Sequence, residues 1–151
     1  MKPLAILIAV LGLGPYVGFG LGALSQNPGA AVRMLDALIQ WGALVLAFGG
    51  AVHWGLALAP SDLPRRPRPL WLVAALVPML LGWAALNLQA WLALVVLIVG
   101  LLLTAAGERE VSRRDLLPTG YVLLRYGFTV VAVAMLVTVL TLRLLGQTIV
   151  F

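Results

Sequence analysis

Five apolar blocks fill most of this sequence, and each is close to the length that crosses a lipid bilayer. A spanning α-helix takes about 20 predominantly apolar residues, with a range of about 17–25. The blocks run from Pro3 to Leu24, Ala37 to Ala59, Leu70 to Leu86, Ala90 to Ala106 and Tyr121 to Leu145. They are continuous, rich in Leu and Ala, and lack the period-two alternation of a barrel strand. Breakers separate them. Asn27-Pro28-Gly29 follows the first, residues 60–69 carry four prolines and three arginines, and Pro118 precedes the last. Only Asn87-Leu88-Gln89 parts the third block from the fourth, which predicts a tight helical hairpin.

The expectation is an all-α integral membrane protein, a five-transmembrane-helix bundle forming one domain over 1–151. Composition agrees: 63% of the residues are hydrophobic and 10% charged, against about half and about a quarter in a soluble domain. That excludes a soluble enzyme, a disordered chain and a disulfide scaffold, the last also because cysteine is absent. Lys2, an apolar run and Ala23-Leu24-Ser25 have the outline of a signal peptide. The run is a full span long and is interrupted by Gly and Pro, so a retained first helix is expected.

Basic residues in short loops set orientation. With five spans, Lys2, Arg65, Arg66, Arg68, Arg109, Arg113 and Arg114 fall on one side, and Arg33 and Arg143 on the other. This predicts a cytoplasmic N-terminus and a periplasmic C-terminus. Arg65, Arg66, Arg68, Arg113 and Arg114 are then candidates for anionic lipid headgroups. The net charge of +5 is read as topology and lipid contact, with no nucleic-acid partner. Trp41, Trp83 and Trp91 are placed at the outer interface, Trp54 and Trp71 at the inner one.

Small residues recur every four positions, at Gly14, Gly18 and Gly22, and at Ala43, Ala47, Ala51 and Gly55, with Gly49 and Gly50 on an adjacent face. Such stripes let helix backbones approach closely. The plain reading is packing of the first helix on the second; the sharper one is a groove for a partner helix. Pro15 and Pro78 fall near mid-membrane, where each withdraws a donor from the carbonyl four residues back, Leu11 and Ala74. Kinks are expected there.

Few polar side chains lie within the blocks. His53 and Arg125 are placed at roughly 9 Å and 6 Å from the inner ends of their helices, with Trp54, Tyr126 and Thr129 close by in sequence. These five form a candidate inner-leaflet polar pocket. Ionisable groups inside a membrane are functional candidates by default, although Arg125 can also snorkel to the interface. Every carboxylate is expected in a loop or at a span edge: Asp36, Asp62, Glu108, Glu110 and Asp115. That leaves no embedded acid for cation coupling. One histidine and no catalytic or nucleotide motif point away from an enzyme and offer no metal site.

Several segments resemble one family in order along the chain. They are Gly12-Leu13-Gly14-Pro15-Tyr16, the run Gly42-Ala43-Leu44-Val45-Leu46-Ala47-Phe48-Gly49-Gly50-Ala51-Val52-His53-Trp54-Gly55, Val77-Pro78 with Trp83, and Pro118, Tyr121, Leu124-Arg125 and Thr129. The chain resembles a membrane family of unknown function, found in bacteria and mitochondria, that includes mitochondrial transmembrane protein 69. It departs from that pattern at Gly120, where an aromatic usually precedes Tyr121, and at Phe128, a usually aliphatic place. The resemblance implies a small five-helix protein of the bacterial inner membrane. It carries over no catalytic residues and marks Gly49, Gly50, His53, Trp54, Pro78 and Arg125 for testing.

Two functions follow as expectations. The first is an accessory or assembly subunit of a larger respiratory or photosynthetic complex, in contact with membrane lipids and with other integral subunits or a second copy. The alternative is a lipid- or quinone-binding protein, or a small-molecule carrier, using the inner-leaflet pocket. No cofactor is required, and a bound lipid or quinone is the candidate ligand.

Overall fold

The computed structural model describes residues 2–58, 72–73, 75–112 and 119–146. Arg65, Arg66, Arg68, Arg113, Arg114 and Trp71 lie outside the described residues. Among the described residues there are five principal helices: α1 Lys2–Ala23, α2 Pro28–Ala57, α3 Leu76–Leu86, α4 Ala90–Ser112 and α5 Thr119–Leu144. Four of them, α1, α2, α4 and α5, are long and apolar enough to cross a membrane. The chain is a multi-pass, all-helical membrane protein.

The third element differs from the expected span over 70–86. Continuous helix starts at Leu76 and has 11 residues, about 16 Å of rise against a hydrocarbon core of about 30 Å. Pro78 is therefore in the first turn of α3, where an amide has no intrahelical partner to lose. It is not the mid-span breaker that was expected.

Two other helices are longer than the apolar pattern implied. Asn27 caps α2: its side-chain carbonyl accepts from Ala30 N at 3.2 Å, and its backbone carbonyl accepts from Ala31 N at 2.9 Å. Pro28 follows at the first helical position, which its fixed φ suits. Helix thus begins nine residues before Ala37, and Arg33 and Asp36 are helical rather than in a loop. It also puts Trp41 near mid-helix instead of at an interface. At the other end α4 continues past Ala106 to Ser112, because a single glycine is a weak breaker and Glu-Arg-Glu favours helix.

The hairpin at 87–89 lies where the sequence placed it. Asn87 N donates to Ala84 O at 3.0 Å, the Asn87 side chain donates to Trp83 O at 2.8 Å, and Ala93 N donates to Gln89 O at 2.9 Å to open α4.

Helix directions follow from the close approaches. Gly50 stands against the Ala75 carbonyl, and Gly82 against the Ala43 carbonyl, where an added Cβ would be 2.8 Å away. A step of seven forward on α3 matches seven back on α2, so the two are antiparallel. Gly42 faces Leu97 and Gly100 faces Leu46, so α2 and α4 run parallel. Gly12 faces Phe128 and Gly20 faces Met135, so α1 and α5 run parallel. Leu38, Leu46, Leu94, Leu97, Leu101 and Leu136 fill the shared core.

Candidate functional site

The polar centre of the bundle is an ion pair that joins α4 to α5. Arg125 Nε donates to Glu108 Oε1 at 3.1 Å and to Oε2 at 3.2 Å. Glu108 is only 2% exposed and Arg125 12%. Of the two places expected for this carboxylate, a loop or a span edge, Glu108 takes the second: it is helical, one residue from the end of the apolar span Ala90–Arg109, and is neutralised by the arginine that pattern alone had left without a partner. The signal was in the sequence. Leu94, Leu97, Leu101 and Ala105 form the buried stripe of α4, and Glu108 is its next member at steps of three and four.

Gly49 makes room for the pair. A Cβ there would stand 2.5 Å from Arg125 Nη2 and 3.2 Å from Thr104 Cγ2. The Nη2 end of the guanidinium thus points at the bare backbone of α2. His53, one turn further along, packs its Nε2 against Gly107, 3.5 Å from where a Cβ would be. Its Nδ1 is buried without a hydrogen bond of good geometry, though the Gly49 carbonyl interacts with the ring. Arg125 Nη2 and the hydroxyl of Tyr16 are likewise buried without a partner. Buried polar atoms of this kind are few in native structures, and two of them, on His53 and Arg125, cluster with Glu108 around Gly49. The cluster stands four to six residues inside the helix ends, about 6–9 Å.

Of the five residues proposed for the pocket, His53 and Arg125 come together at Gly49. Tyr126 instead ties α5 to α4, its hydroxyl donating to Ala105 O at 3.3 Å. Thr129 donates to Arg125 O at 2.9 Å within its own helix. Trp54 is 45% exposed, on an outward face.

Beside the ion pair a groove of about 660 Å³ opens laterally between α1, α2 and α5. Its walls are apolar: Ile8 and Ala9 from α1, Leu44, Phe48 and Val52 from α2, and Leu124 and Phe128 from α5. Gly49 and Arg125 lie at its polar end, and Gly12 and Trp41 at its deeper end. The groove exists because only the second half of α1 packs tightly. Tyr16 is fully buried, edge-on to Phe128 with centroids 5.9 Å apart. Gly22 meets Met34. The first half, by contrast, exposes Leu4, Ile6, Leu7, Ile8, Val10 and Leu11. Pro15 stands at the boundary, and there Trp41 Nε1 donates to the Gly12 carbonyl at 3.1 Å. That carbonyl is one residue beyond the Leu11 carbonyl that Pro15 deprives of its donor.

The small-residue stripes divide. Gly22, Ala43, Gly49 and Gly50 lie at helix contacts, whereas a Cβ at Gly14, Gly18 or Gly55 would meet nothing within 4 Å. Ala47 is half-buried and Ala51 exposed. On the far half of the bundle Arg143 is buried, with Asp36 of α2 near enough to act on it electrostatically.

Comparison with known proteins adds a family and a relative. The profile of a family described as a protein of unknown function, DUF3429, matches residues 1–141. Transmembrane protein 69 of Xenopus tropicalis is 33% identical over 141 residues, covering 90% of this chain and 53% of its own length. The chain therefore spans about half the length of that curated relative. No solved structure matches.

Proposed function

The chain belongs to the DUF3429 family of membrane proteins of unknown function, and from there we propose that it binds an amphipathic membrane molecule, a lipid or a quinone, rather than catalysing a reaction. The observation that carries this reading is the lateral groove of about 660 Å³ with the Arg125–Glu108 pair at one end. Its volume is within the roughly 300–1,000 Å³ of small-molecule sites, and apolar walls with a few placed polar groups are the usual lining of such sites. Entry from the side suits a ligand already dissolved in the bilayer. The test is native mass spectrometry of protein extracted from membranes in mild detergent. A retained lipid or quinone, lost when Ala9→Phe fills the groove from α1, is the expected result; equal occupancy in both proteins refutes it.

A second reading has its own observation. Gly14 and Gly18 offer a bare helix face that nothing among the described residues covers, as an accessory subunit docked on another membrane protein would. Affinity purification from native membranes tests it: Gly14→Leu with Gly18→Leu is expected to release a stoichiometric partner, and recovery of the chain alone counts against it.

For placement we propose a bacterial inner membrane; with five crossings, seven basic residues in loops or near helix ends fall on one side against two on the other, which supports a cytoplasmic N-terminus. The absence of cysteine makes single introduced cysteines at the two termini clean probes for labelling from each side.

A further inference from the structure

Resting on the binding reading above, we infer that the groove takes an uncharged, ring-headed amphiphile of the quinone class and not an anionic phospholipid. Charge is the first reason. Arg125 is the one charged side chain among the described residues that line the groove, and the Glu108 carboxylate already meets it at 3.1 and 3.2 Å. The pair is neutral, and an arriving phosphate would sit beside a carboxylate that repels it. A carbonyl needs only a donor.

Donors are what the groove supplies. Arg125 lines the polar end of the groove, and of the five N–H donors of its guanidinium the one on Nε is spent on Glu108. Tyr121, one turn earlier on α5, lines the same end and brings a phenolic hydroxyl. Trp41, the remaining donor in the lining, is already committed to the Gly12 carbonyl.

Shape is the second reason. Phe48 of α2 and Phe128 of α5 flank the groove beside Tyr121. A flat ring suits a slot between aromatic side chains, and an apolar tail leaves through the open side past Leu44 and Ile8.

The experiment titrates decylubiquinone into the protein held in phosphatidylcholine nanodiscs, read by tryptophan quenching and by native mass spectrometry, with phosphatidylglycerol as the competing arm. The expected result is saturable decylubiquinone binding that phosphatidylglycerol does not displace and that Ala9→Phe abolishes. Exchanging the pair for methionines, Glu108→Met with Arg125→Met, is expected to weaken binding by about tenfold or more. Tyr121→Phe leaves the ion pair intact and is expected to weaken it about threefold or more, so the assignment stays testable if the double variant does not fold. Unchanged affinity in Tyr121→Phe and the double variant overturns the assignment of the head. Groove-dependent binding of phosphatidylglycerol without decylubiquinone overturns the quinone class and leaves the binding reading standing. Binding of neither in a form sensitive to Ala9→Phe overturns both.

Discussion

Replacing Glu108 with alanine leaves the Arg125 guanidinium buried and without its carboxylate. Charge centres about 4 Å apart attract by about 4 kcal/mol at an effective dielectric constant near 20. Removing one partner of a buried pair costs about 3–5 kcal/mol, because the survivor is left uncompensated. Two features set this pair at the lower end. One nitrogen, Nε, makes both contacts, so the geometry is a shared donor and not a two-armed fork. Arg125 also sits within about 9 Å of the start of α5, near enough for its stem to carry the charge toward the interface. Glu108→Ala is therefore expected to destabilise by about 3 kcal/mol. Exchanging both residues for methionine removes the uncompensated charge and should leave stability within about 1 kcal/mol of wild type. Equilibrium unfolding in bicelles of wild type, Glu108→Met, Arg125→Met and the double variant gives the coupling directly. Single variants each within about 0.5 kcal/mol of wild type, with an additive double variant, would refute a buried pair and place Arg125 at the interface.

The glycines yield a graded series. Gly82→Ala drives a methyl group toward the Ala43 carbonyl oxygen, 2.8 Å from the new Cβ, and is expected to destabilise by about 1–3 kcal/mol; Gly18→Ala meets nothing within 4 Å and should be neutral or stabilising by up to about 1 kcal/mol. Thermal unfolding of the two variants checks the contrast, and equal effects would contradict the α2–α3 packing. Gly49→Val puts side-chain carbon where the Arg125 guanidinium lies, so a loss of about 1–3 kcal/mol should shrink markedly once Arg125 is methionine. Trp41→Phe removes the donor to Gly12 O and should cost about 1 kcal/mol, together with faster amide exchange around Pro15; unchanged exchange there would refute its role in pinning α1.

The membrane assignment was legible in the chain because it depends on short-range quantities. Block length, the absence of alternation and the breakers at 27–29 and 87–89 act locally, and the hairpin between α3 and α4 is where Asn87 and Gln89 put it. Helix ends were less legible. Asn27 and Pro28 start α2 through capping geometry, which rising polarity over 25–36 concealed. Pro78 looked like a mid-span breaker only while residues 70–86 were read as one helix.

What the sequence determined by itself is that this chain must be a bundle of apolar helices, since no soluble fold of its size could bury that much hydrocarbon. What tertiary structure decided is which polar groups meet. Glu108 and Arg125 are 17 positions apart and belong to different helices. Their pairing depends on α4 continuing past Gly107, on α4 and α5 running antiparallel, and on Gly49 of a third helix leaving the guanidinium room. The groove has the same origin. No residue in its lining announces a cavity; it exists because α1 packs on its neighbours through one half of its length and stands away from them through the other.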